Sequence, residues 1–209
     1  MIKILIADDH AIVRQGLKKV VEVDTDMEVV NEAQNGAELL NMVGKKQIDL
    51  VILDISMPGR NGLETLKELK RRLPALPVIM LSIHPEDQYA VRAFRAGASG
   101  YMSKESAPEE LVKAIRKVHE GGKYISPIVA DLLAAHIGIE GTDEQHRSLS
   151  DREYEVFTML ARGTTVGQIA VSLNLSVKTI STYRTRILEK MGMSTNAELT
   201  RYALDFDLL

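Results

Sequence analysis

Three acidic residues of this 209-residue chain stand where short apolar runs end. Asp8 and Asp9 follow the run Ile2–Ala7, and Asp54 closes the run Leu50–Asp54. Two carboxylates about 4 Å apart repel by roughly 4 kcal/mol at an effective dielectric near 20, so a divalent cation would stabilise such a cluster. Hard oxygen ligands favour Mg²⁺, or Mn²⁺, over zinc and copper.

Two further polar side chains accompany later apolar runs. Ser82 offers a hydroxyl at the end of Val78–Ser82, and Lys104 offers a positive charge just after Ala98–Met102. A carboxylate nucleophile, a metal, a hydroxyl and a lysine together suit phosphoryl transfer, in which catalysis is mainly positioning and charge neutralisation. Because an aspartate can itself be the phosphorylated nucleophile, the candidate chemistry is phosphorylation of a carboxylate.

The elements that must position these residues alternate in type. Apolar, β-branched runs alternate with segments of helical period through the first half of the chain. The runs are Ile2–Ala7, Met27–Ala33, Leu50–Asp54, Val78–Ser82 and Ala98–Met102. This alternation predicts an α/β domain with a doubly wound, mostly parallel sheet. Strands 1 and 3 are neighbours at the switch point of such a sheet, so their carboxyl-end aspartates could converge.

The second half of the chain has a different pattern. After Gly121, a short helix can start at Pro127 and run through Ala135, and Gly138–Ser148 has the composition of a polar linker. From Leu149 onward the pattern is entirely helical. The predicted helices run from the capping box of Ser150 and Glu153 to Arg162, over Val166–Leu173, over Val177–Met191 and over about Asn196–Phe206. The predicted organisation is a domain over residues 1–121, a linker with a short helix over 122–148, and an all-α domain over 149–209.

The longest of these helices has two distinct faces. Although the chain has a net charge of −3, the segment Ser176–Met191 carries +3. Its predicted inward side is apolar: Ile180, Tyr183, Ile187 and Met191. Its other side is polar or basic, with Arg184 at the flank: Lys178, Ser181, Thr182, Thr185, Arg186 and Glu189. Together with the preceding helix and tight turn, this indicates a helix-turn-helix whose second helix enters a major groove; the alternative is a merely solvated basic face.

Composition excludes several classes of protein. The absence of cysteine excludes disulfide scaffolds, cysteine nucleophiles and thiolate metal sites. A content of 45% hydrophobic and 26% charged residues is typical of a globular chain. The apolar runs are far shorter than the ~20 residues that span a bilayer, and the N-terminus meets an acidic pair at once, unlike a signal peptide. We therefore expect a cytoplasmic protein without membrane contacts.

Five positions resemble, in order and spacing, the receiver domain of two-component response regulators. They are Ile4–Asp9, residues 54–59 with Gly62, Ser82 and Lys104. The resemblance implies a flavodoxin-like receiver fold with strand order 2-1-3-4-5 and phosphorylation of Asp54 by a sensor histidine kinase. It also implies that Asp8, Asp9, Asp54 and the Ser56 backbone carbonyl hold Mg²⁺ or Mn²⁺. Lys104 would pair with the phosphoryl group, Ser82 would donate a hydrogen bond to it, and Tyr101 would be the aromatic that reorients.

One position departs from the broadest receiver pattern. Many receivers have proline after the conserved lysine, whereas Glu105 follows Lys104 here. A cis peptide at a non-proline residue costs ~3 kcal/mol, so the geometry of that loop is open. His10 and His84 flank the site, where either could tune hydrolysis of an aspartyl phosphate or be a solvated loop residue.

The helical half resembles the LuxR-type helix-turn-helix in register. The matching segments are residues 149–153, 161–163, 168–170, 175–180 and 190–192. With a receiver in front, the chain resembles NarL/FixJ-family response regulators, with residues 181–187 and 197–201 most similar to the GacA/UvrY type. The resemblance implies that Ser181, Thr182 and Thr185 face base edges and that Lys178, Arg184 and Arg186 hold phosphates. It also implies a homodimer when the protein is phosphorylated or bound to DNA.

The predicted function is that of a DNA-binding transcription factor controlled by Mg²⁺-dependent phosphorylation of Asp54. Its only catalysis would be its own phosphorylation and dephosphorylation. Two other classes stay open. One is a phosphohydrolase that uses Asp54 on small molecules, although no substrate-binding insertion is evident. The other is a phosphorylation-independent receiver-like interaction module, with constitutive binding of DNA, RNA or protein.

Overall fold

A computed structural model describes residues 1–44, 47–83, 86–135, 145–206 and 208–209. The chain divides into two compact units, Met1–Ile137 and Gly138–Leu209. Most of the predicted linker, Gly138–Ser148, lies outside the described residues, and its end, Gln145–Ser148, forms a single 3₁₀ turn. The predicted domain boundaries at residues 121 and 148 stay predictions.

The first unit is a five-stranded parallel sheet with helices between successive strands. Its strands are β1 (Ile2–Ala7), β2 (Met27–Ala33), β3 (Leu50–Asp54), β4 (Val78–Ser82) and β5 (Gly100–Ser103). Its helices are α1 (Ala11–Val21), α2 (Gly36–Met42), α3 (Gly62–Arg72), α4 (Glu86–Arg95), α5 (Pro108–His119) and α6 (Pro127–Ala135). The strand order is 2-1-3-4-5, which confirms the predicted α/β fold class.

Strand β5 begins two residues later than the apolar run predicted. Ala98 is still part of the end of α4, because its backbone N–H donates to the Ala93 carbonyl 2.9 Å away. The ladder with β4 starts only where Gly100 pairs with Ile79, and it continues to Ser103 opposite Ser82. An apolar run marks burial rather than pairing, so it includes the apolar cap of the preceding helix.

The register of the central strands brings the candidate residues to one edge. Residues of β3 and β4 are buried at every position, because helices cover both faces of a doubly wound sheet. Ala7 pairs with Leu53, and Asp54 pairs with Leu81. The residues that end β1, β3, β4 and β5 therefore lie side by side at the carboxyl edge.

Gly62 is required where the loop after β3 folds back. A Cβ atom at this position would collide with the Asp54 carbonyl oxygen and would lie 2.7 Å from the Ile55 Cα. The Gly62 N–H instead donates to the Ile55 carbonyl at 2.8 Å, which starts α3 directly beside the end of β3. The Asn61 side chain caps the same helix by accepting from the Glu64 N–H.

The segment after α5 continues against the sheet. Tyr124 forms an isolated parallel bridge with Gly100, and its N–H donates to the Ser99 carbonyl at 2.9 Å. Helix α6 then packs on α4, with Val129 buried. The predicted short helix over Pro127–Ala135 is therefore present, and it belongs to the first compact unit.

The second unit is helical throughout its described part. Its helices are α7 (Asp151–Ala161), α8 (Val166–Ser172), α9 (Val177–Met191) and α10 (Asn196–Asp205). The predicted capping box is present, since Ser150 and Glu153 exchange side-chain to backbone hydrogen bonds at the start of α7. Helix α9 ends at Gly192, whose φ of +62° is in the left-handed region that glycine tolerates.

None of the helices in the described ranges is long and apolar enough to cross a membrane.

Candidate functional site

A cluster of carboxylates lies at the carboxyl edge of the sheet. Asp8 and Asp54 are each 1% exposed, while Asp9 is open to solvent. One oxygen of each aspartate and one ring nitrogen of His10 lie within 4.8 Å of one another. The structure thus brings together the three acidic residues that the strand ends pointed to. Their mutual repulsion requires a positive charge inside the cluster.

Lys104 supplies such a charge from the end of β5. Its Nζ lies 2.7 Å from Asp8 Oδ2 and 2.9 Å from Asp54 Oδ2, and its side chain is 10% exposed. Burial lowers the pKa of Lys104, but the charges of Asp54 and Asp8 and their hydrogen bonds outweigh burial and raise it. Lys104 is therefore a fixed cation that bridges two carboxylates.

Burial dominates the electrostatics of Asp54. It raises the pKa of that carboxyl to about 6; the charge of Lys104 opposes the shift, and the charge of Asp8 reinforces it. At neutral pH, Asp54 is therefore ionised, although burial makes the ionised form unfavourable in free energy. An ionised carboxylate oxygen in a desolvated pocket can act as a nucleophile.

The donor set fits a hard divalent cation. Asp8 and Asp54 are buried, and one oxygen of each lies with an oxygen of Asp9 inside the same cluster. Carboxylate oxygens are the ligands that Mg²⁺ and Mn²⁺ prefer. Ser56, whose carbonyl the resemblance assigns to the metal, follows two residues later and is half-buried.

Ser82 and Tyr101 lie on the strands beside the cluster. Ser82 is buried at the end of β4, and its carbonyl accepts a hydrogen bond of 2.8 Å from the Lys104 N–H. Tyr101 lies on β5 opposite Met80, with its side chain wholly buried. His84 lies outside the described residues. No cis peptide occurs within those ranges, so the bond between Lys104 and Glu105 is trans.

The predicted division of α9 into two faces is visible in its burial. Ile180, Ile187 and Met191 are buried, while Tyr183 is half-buried. The polar residues of the opposite face are all exposed: Lys178, Ser181, Thr182, Thr185, Arg186 and Glu189. The hydroxyls of Thr182 and Thr185 donate to backbone carbonyls one turn earlier, at 3.0 and 3.1 Å. Both hydroxyl hydrogens are therefore used in hydrogen bonds within the helix.

Comparison with known proteins assigns both units to protein families. Residues 4–116 match the family of response regulator receiver domains, and residues 147–203 match bacterial regulatory proteins of the luxR family. The chain is 38% identical to the response regulator UvrY of Escherichia coli strain K12, over 98% of this chain and 94% of that protein. This chain belongs to the response regulators with a receiver and a LuxR-type domain. The resemblance read from the sequence is thereby confirmed.

Other relatives of this response regulator agree. It is 38% identical to the response regulator GacA of Pseudomonas aeruginosa, over 98% of this chain and 96% of that protein. Among solved structures, it is similar to RcsB from Salmonella enterica serovar Typhimurium bound to promoter P1flhDC in the presence of phosphomimetic BeF₃⁻. That similarity has a TM-score of 0.66 and 29% identity, over 96% of this chain and 97% of RcsB.

One residue beside the carboxylates was not predicted from the sequence. Arg14 is buried on α1, and its Nη1 donates to the Asp8 carbonyl at 2.7 Å while its Nε lies 3.6 Å from a Glu32 carboxylate oxygen. Arg14 therefore braces the backbone that presents the acidic pair. The available signal was its spacing, since Arg14 shares the inward face of the helix with Leu17 and Val21.

Two basic residues of α9 have partners within the response regulator itself. The Arg184 Nε donates to the Asn196 Oδ1 at 2.7 Å, which holds the guanidinium half-buried beside α10. The Lys190 Nζ lies 2.6 Å from Glu153 Oε2. The basic side of α9 that is exposed and not tied to another helix is therefore smaller than its charge count suggested.

Replacing Lys190 with methionine is expected to destabilise the second unit by about 1 kcal/mol, since Glu153 is buried and would lose its charged partner. Burial raises the pKa of Glu153, but hydrogen bonds from Lys190 and Ser150 outweigh burial and lower it. The stabilisation is therefore present above the ordinary pKa near 4.5 and is lost as the pH falls below it. Urea denaturation at pH 7 and pH 3.5 measures both effects.

The matched control is Lys178→Met, which removes an exposed lysine from the same helix. It should leave the free energy of unfolding within about 0.5 kcal/mol of wild type. Equal losses in the two variants would mean that the Glu153–Lys190 pair contributes nothing beyond the general charge of α9.

Proposed function

We propose that this response regulator is a transcription factor whose DNA affinity is set by Mg²⁺-dependent phosphorylation of Asp54 by a sensor histidine kinase. The observation that carries the proposal is the buried carboxylate of Asp54, which lies in a cluster with Asp8 and Asp9 and has one oxygen 2.9 Å from the Lys104 ammonium. The partner kinase, the metal and the roles of individual residues are all part of this proposal.

Each side chain of the cluster has a separate role in phosphoryl transfer. The Asp54 oxygen attacks the phosphorus atom; a P–O bond forms as the P–N bond of the donor phosphohistidine breaks. Asp8, Asp9, Asp54 and the Ser56 carbonyl would hold Mg²⁺, which would neutralise charge on the transferred group. Lys104 is already hydrogen-bonded to Asp54. When the carboxylate becomes an acyl phosphate, the Lys104 ammonium turns toward a phosphoryl oxygen.

The signal then passes from the phosphoryl group to the neighbouring strands. Ser82 donates its hydroxyl to a phosphoryl oxygen, and Tyr101 on the next strand repacks with that movement. A buried core is bistable rather than continuously deformable, so a small shift at Ser82 selects between two arrangements of the receiver surface. The second unit is released, dimerises, or does both.

The second unit binds double-stranded DNA through α9. Exposed Lys178 and Arg186 hold phosphates, and Ser181, Thr182 and Thr185 face base edges. Arg184 contributes to phosphate binding from the flank, where Asn196 holds its Nε. Charge supplies affinity and short polar side chains discriminate bases. RcsB, to which this chain is similar, is bound to a promoter in its solved structure, which supports DNA as the partner. A homodimer would bind two half-sites about one helical turn apart, in the cytoplasm, where promoter DNA is accessible.

The same cluster argues against metabolic turnover. Asp54 is buried against Lys104 and Asp8, which suits one phosphoryl group held in place rather than repeated access of substrates. We propose that hydrolysis of the aspartyl phosphate is regulatory and that the chain is not an enzyme of small-molecule phosphates. More than one equivalent of phosphate released from a chromogenic ester per protein would revive the phosphohydrolase alternative.

DNA affinity with and without a small phosphodonor tests the proposal. The full-length protein is titrated with a duplex that it selects from a random pool, in the presence of Mg²⁺ and acetyl phosphate. Wild type should bind at least about 10-fold more tightly when phosphorylated, a coupling of about 1.4 kcal/mol, and Asp54→Ala should not respond. An equal response in the variant would contradict control through Asp54. Absence of DNA binding, or competition by RNA as strong as by duplex, would favour the interaction-module alternative.

A further inference from the structure

Helix α9 begins with an apolar residue at the surface. Val177 is its first residue and is 57% exposed. All of α9 lies in the described part of the chain, and Val177 is the one apolar residue among the exposed residues of this helix. Apolar side chains stabilise a fold through burial, and β-branched residues are only moderate helix formers. The position therefore contributes little to the stability of the folded unit.

Other residues make the contacts that start α9. The Ser176 side chain caps the helix by accepting a hydrogen bond of 3.0 Å from the Thr179 N–H. The Leu175 N–H donates to the Ala170 carbonyl at 2.8 Å, which closes the turn after α8. Neither contact uses the side chain of Val177, so the local structure does not account for a valine at this position.

Val177 extends the row of side chains that the proposed function places at base edges. Residues four apart lie one above the other on a helix, so Val177, Ser181 and Thr185 form one row, and all three are exposed. The N-terminal residues of a recognition helix are the ones that contact base edges. Four residues advance about 6 Å along the axis and base pairs are about 3.4 Å apart, so neighbours in the row lie about two base pairs apart.

The major groove offers one apolar group to a side chain of this kind. Of the four bases, only thymine carries a methyl group at the groove edge, beside its O4 acceptor. The side chain of valine has no hydrogen-bond donor or acceptor, so it cannot satisfy the polar edges of the other bases. Its two methyl groups can pack on the thymine methyl, and this contact removes apolar surface of both partners from water.

We propose that Val177 is a specificity-determining residue, which packs on the C5-methyl group of a thymine about two base pairs from the base that Ser181 contacts. The inference rests on DNA binding by α9 in the proposed function and adds one base to its specificity. Lys178 is the next residue and is exposed. A phosphate contact and an apolar base contact thus come from adjacent side chains at the start of the helix.

Replacement of single thymines by deoxyuridine tests this contact, because deoxyuridine lacks only the methyl group and keeps the hydrogen bonds of the base pair. The full-length protein, with Mg²⁺ and acetyl phosphate, is titrated with its selected duplex and with copies that carry deoxyuridine at one thymine each. Wild type should lose about 4-fold in affinity per half-site at one position, the loss expected when one methyl group is no longer buried. Val177→Ala should bind the thymine duplex at least about 4-fold more weakly and should lose nothing further at that position.

Two further variants separate a base contact from a general effect of an exposed valine. Val171→Ala removes a valine of α8 that is 82% exposed. It should respond to deoxyuridine as wild type does, because the first helix of the motif crosses the DNA backbone rather than entering the groove. Val177→Ile keeps an apolar β-branched side chain and should also retain the response.

Three results would overturn the inference. They are a selected duplex without thymine in its half-sites, a wild type that deoxyuridine affects at no position, and a response to deoxyuridine in Val177→Ala equal to that of wild type. A wild-type protein that binds no duplex at all would instead contradict the proposed function on which the inference rests.

Discussion

Asp54→Asn is expected to raise the free energy of unfolding of the metal-free receiver by about 1–3 kcal/mol at pH 7.5. The pKa of Asp54 is raised from 3.8 to about 6, with burial as the main cause. Each pKa unit corresponds to about 1.4 kcal/mol, and the shift to about 6 already includes the opposing attraction of Lys104. The asparagine is similar in size and carries no charge, so the cost of burying the carboxylate disappears.

The pH dependence has a definite sign. Because the folded-state pKa is raised, the contribution of Asp54 to stability is most favourable below the ordinary pKa near 3.8 and is lost as the pH rises through about 6. The amide of the variant does not titrate in this range, so the difference between the two proteins should be absent at pH 3.5 and complete above pH 7. Hydrogen exchange of the β3 amides during urea denaturation assigns the change to the receiver.

Mg²⁺ should reduce the difference in stability between the two proteins. At a concentration ten times its Kd, a ligand that binds only the folded state stabilises it by about 1.4 kcal/mol. Wild type should gain this amount, and the asparagine variant should gain much less. The control Asp131→Asn, at an exposed position on α6, should change neither stability nor its response to Mg²⁺. A destabilised Asp54→Asn at pH 7.5 would show that the Lys104 ion pair outweighs the cost of burial.

The double variant Lys178→Ala/Arg186→Ala is expected to lose about 10- to 100-fold in DNA affinity at moderate salt. Both side chains are exposed on α9, in contrast to Lys190, which pairs with Glu153. Each phosphate contact that is removed lowers the slope of log K against log[salt] by about 0.9. The slope should therefore fall by about 1.8 per subunit, and the loss should be similar for all duplex sequences.

Two further variants show whether the change in slope is specific to the basic residues of α9. Arg201→Ala removes an equally exposed arginine from α10, where its Nε lies 3.8 Å from an Asp205 carboxylate oxygen, and should leave the slope unchanged. Ser181→Ala should leave the slope unchanged but alter which duplexes are preferred, because a short hydroxyl reads base edges rather than phosphates. Equal slopes for wild type and the double variant would refute phosphate contacts by this face of α9.

The sequence alone determined the order of the elements and most of their limits. Strands such as β3 are buried at every position, so their apolar runs coincide with the paired residues. The ends of the helices could also be predicted from the sequence, because the capping box of Ser150 and Glu153 and the glycine after Met191 are local signals. Strand β5 was less clear, since the apolar cap of α4 joined its run.

Tertiary structure alone decided which charges have partners. Sequence spacing placed Asp8, Asp9 and Asp54 at strand ends, but only the strand register places the Lys104 ammonium between Asp8 and Asp54. Distances between side chains that are far apart in the chain depend on packing. The periodicity of a sequence carries no information on these distances. For the same reason, the buried Arg14 on the inward face of α1 was not predicted from the sequence.

The same limit applies to the second unit. Counting charges along α9 could not distinguish Lys178, which is exposed, from Lys190, which is bound to Glu153 of α7. Nor could it reveal that Asn196 of α10 holds Arg184. Local pattern thus determined the helix and its polar face, because both follow from neighbouring residues. The assembled helices decided which of its cations are available to a ligand, because ion pairing depends on atoms brought together only by folding.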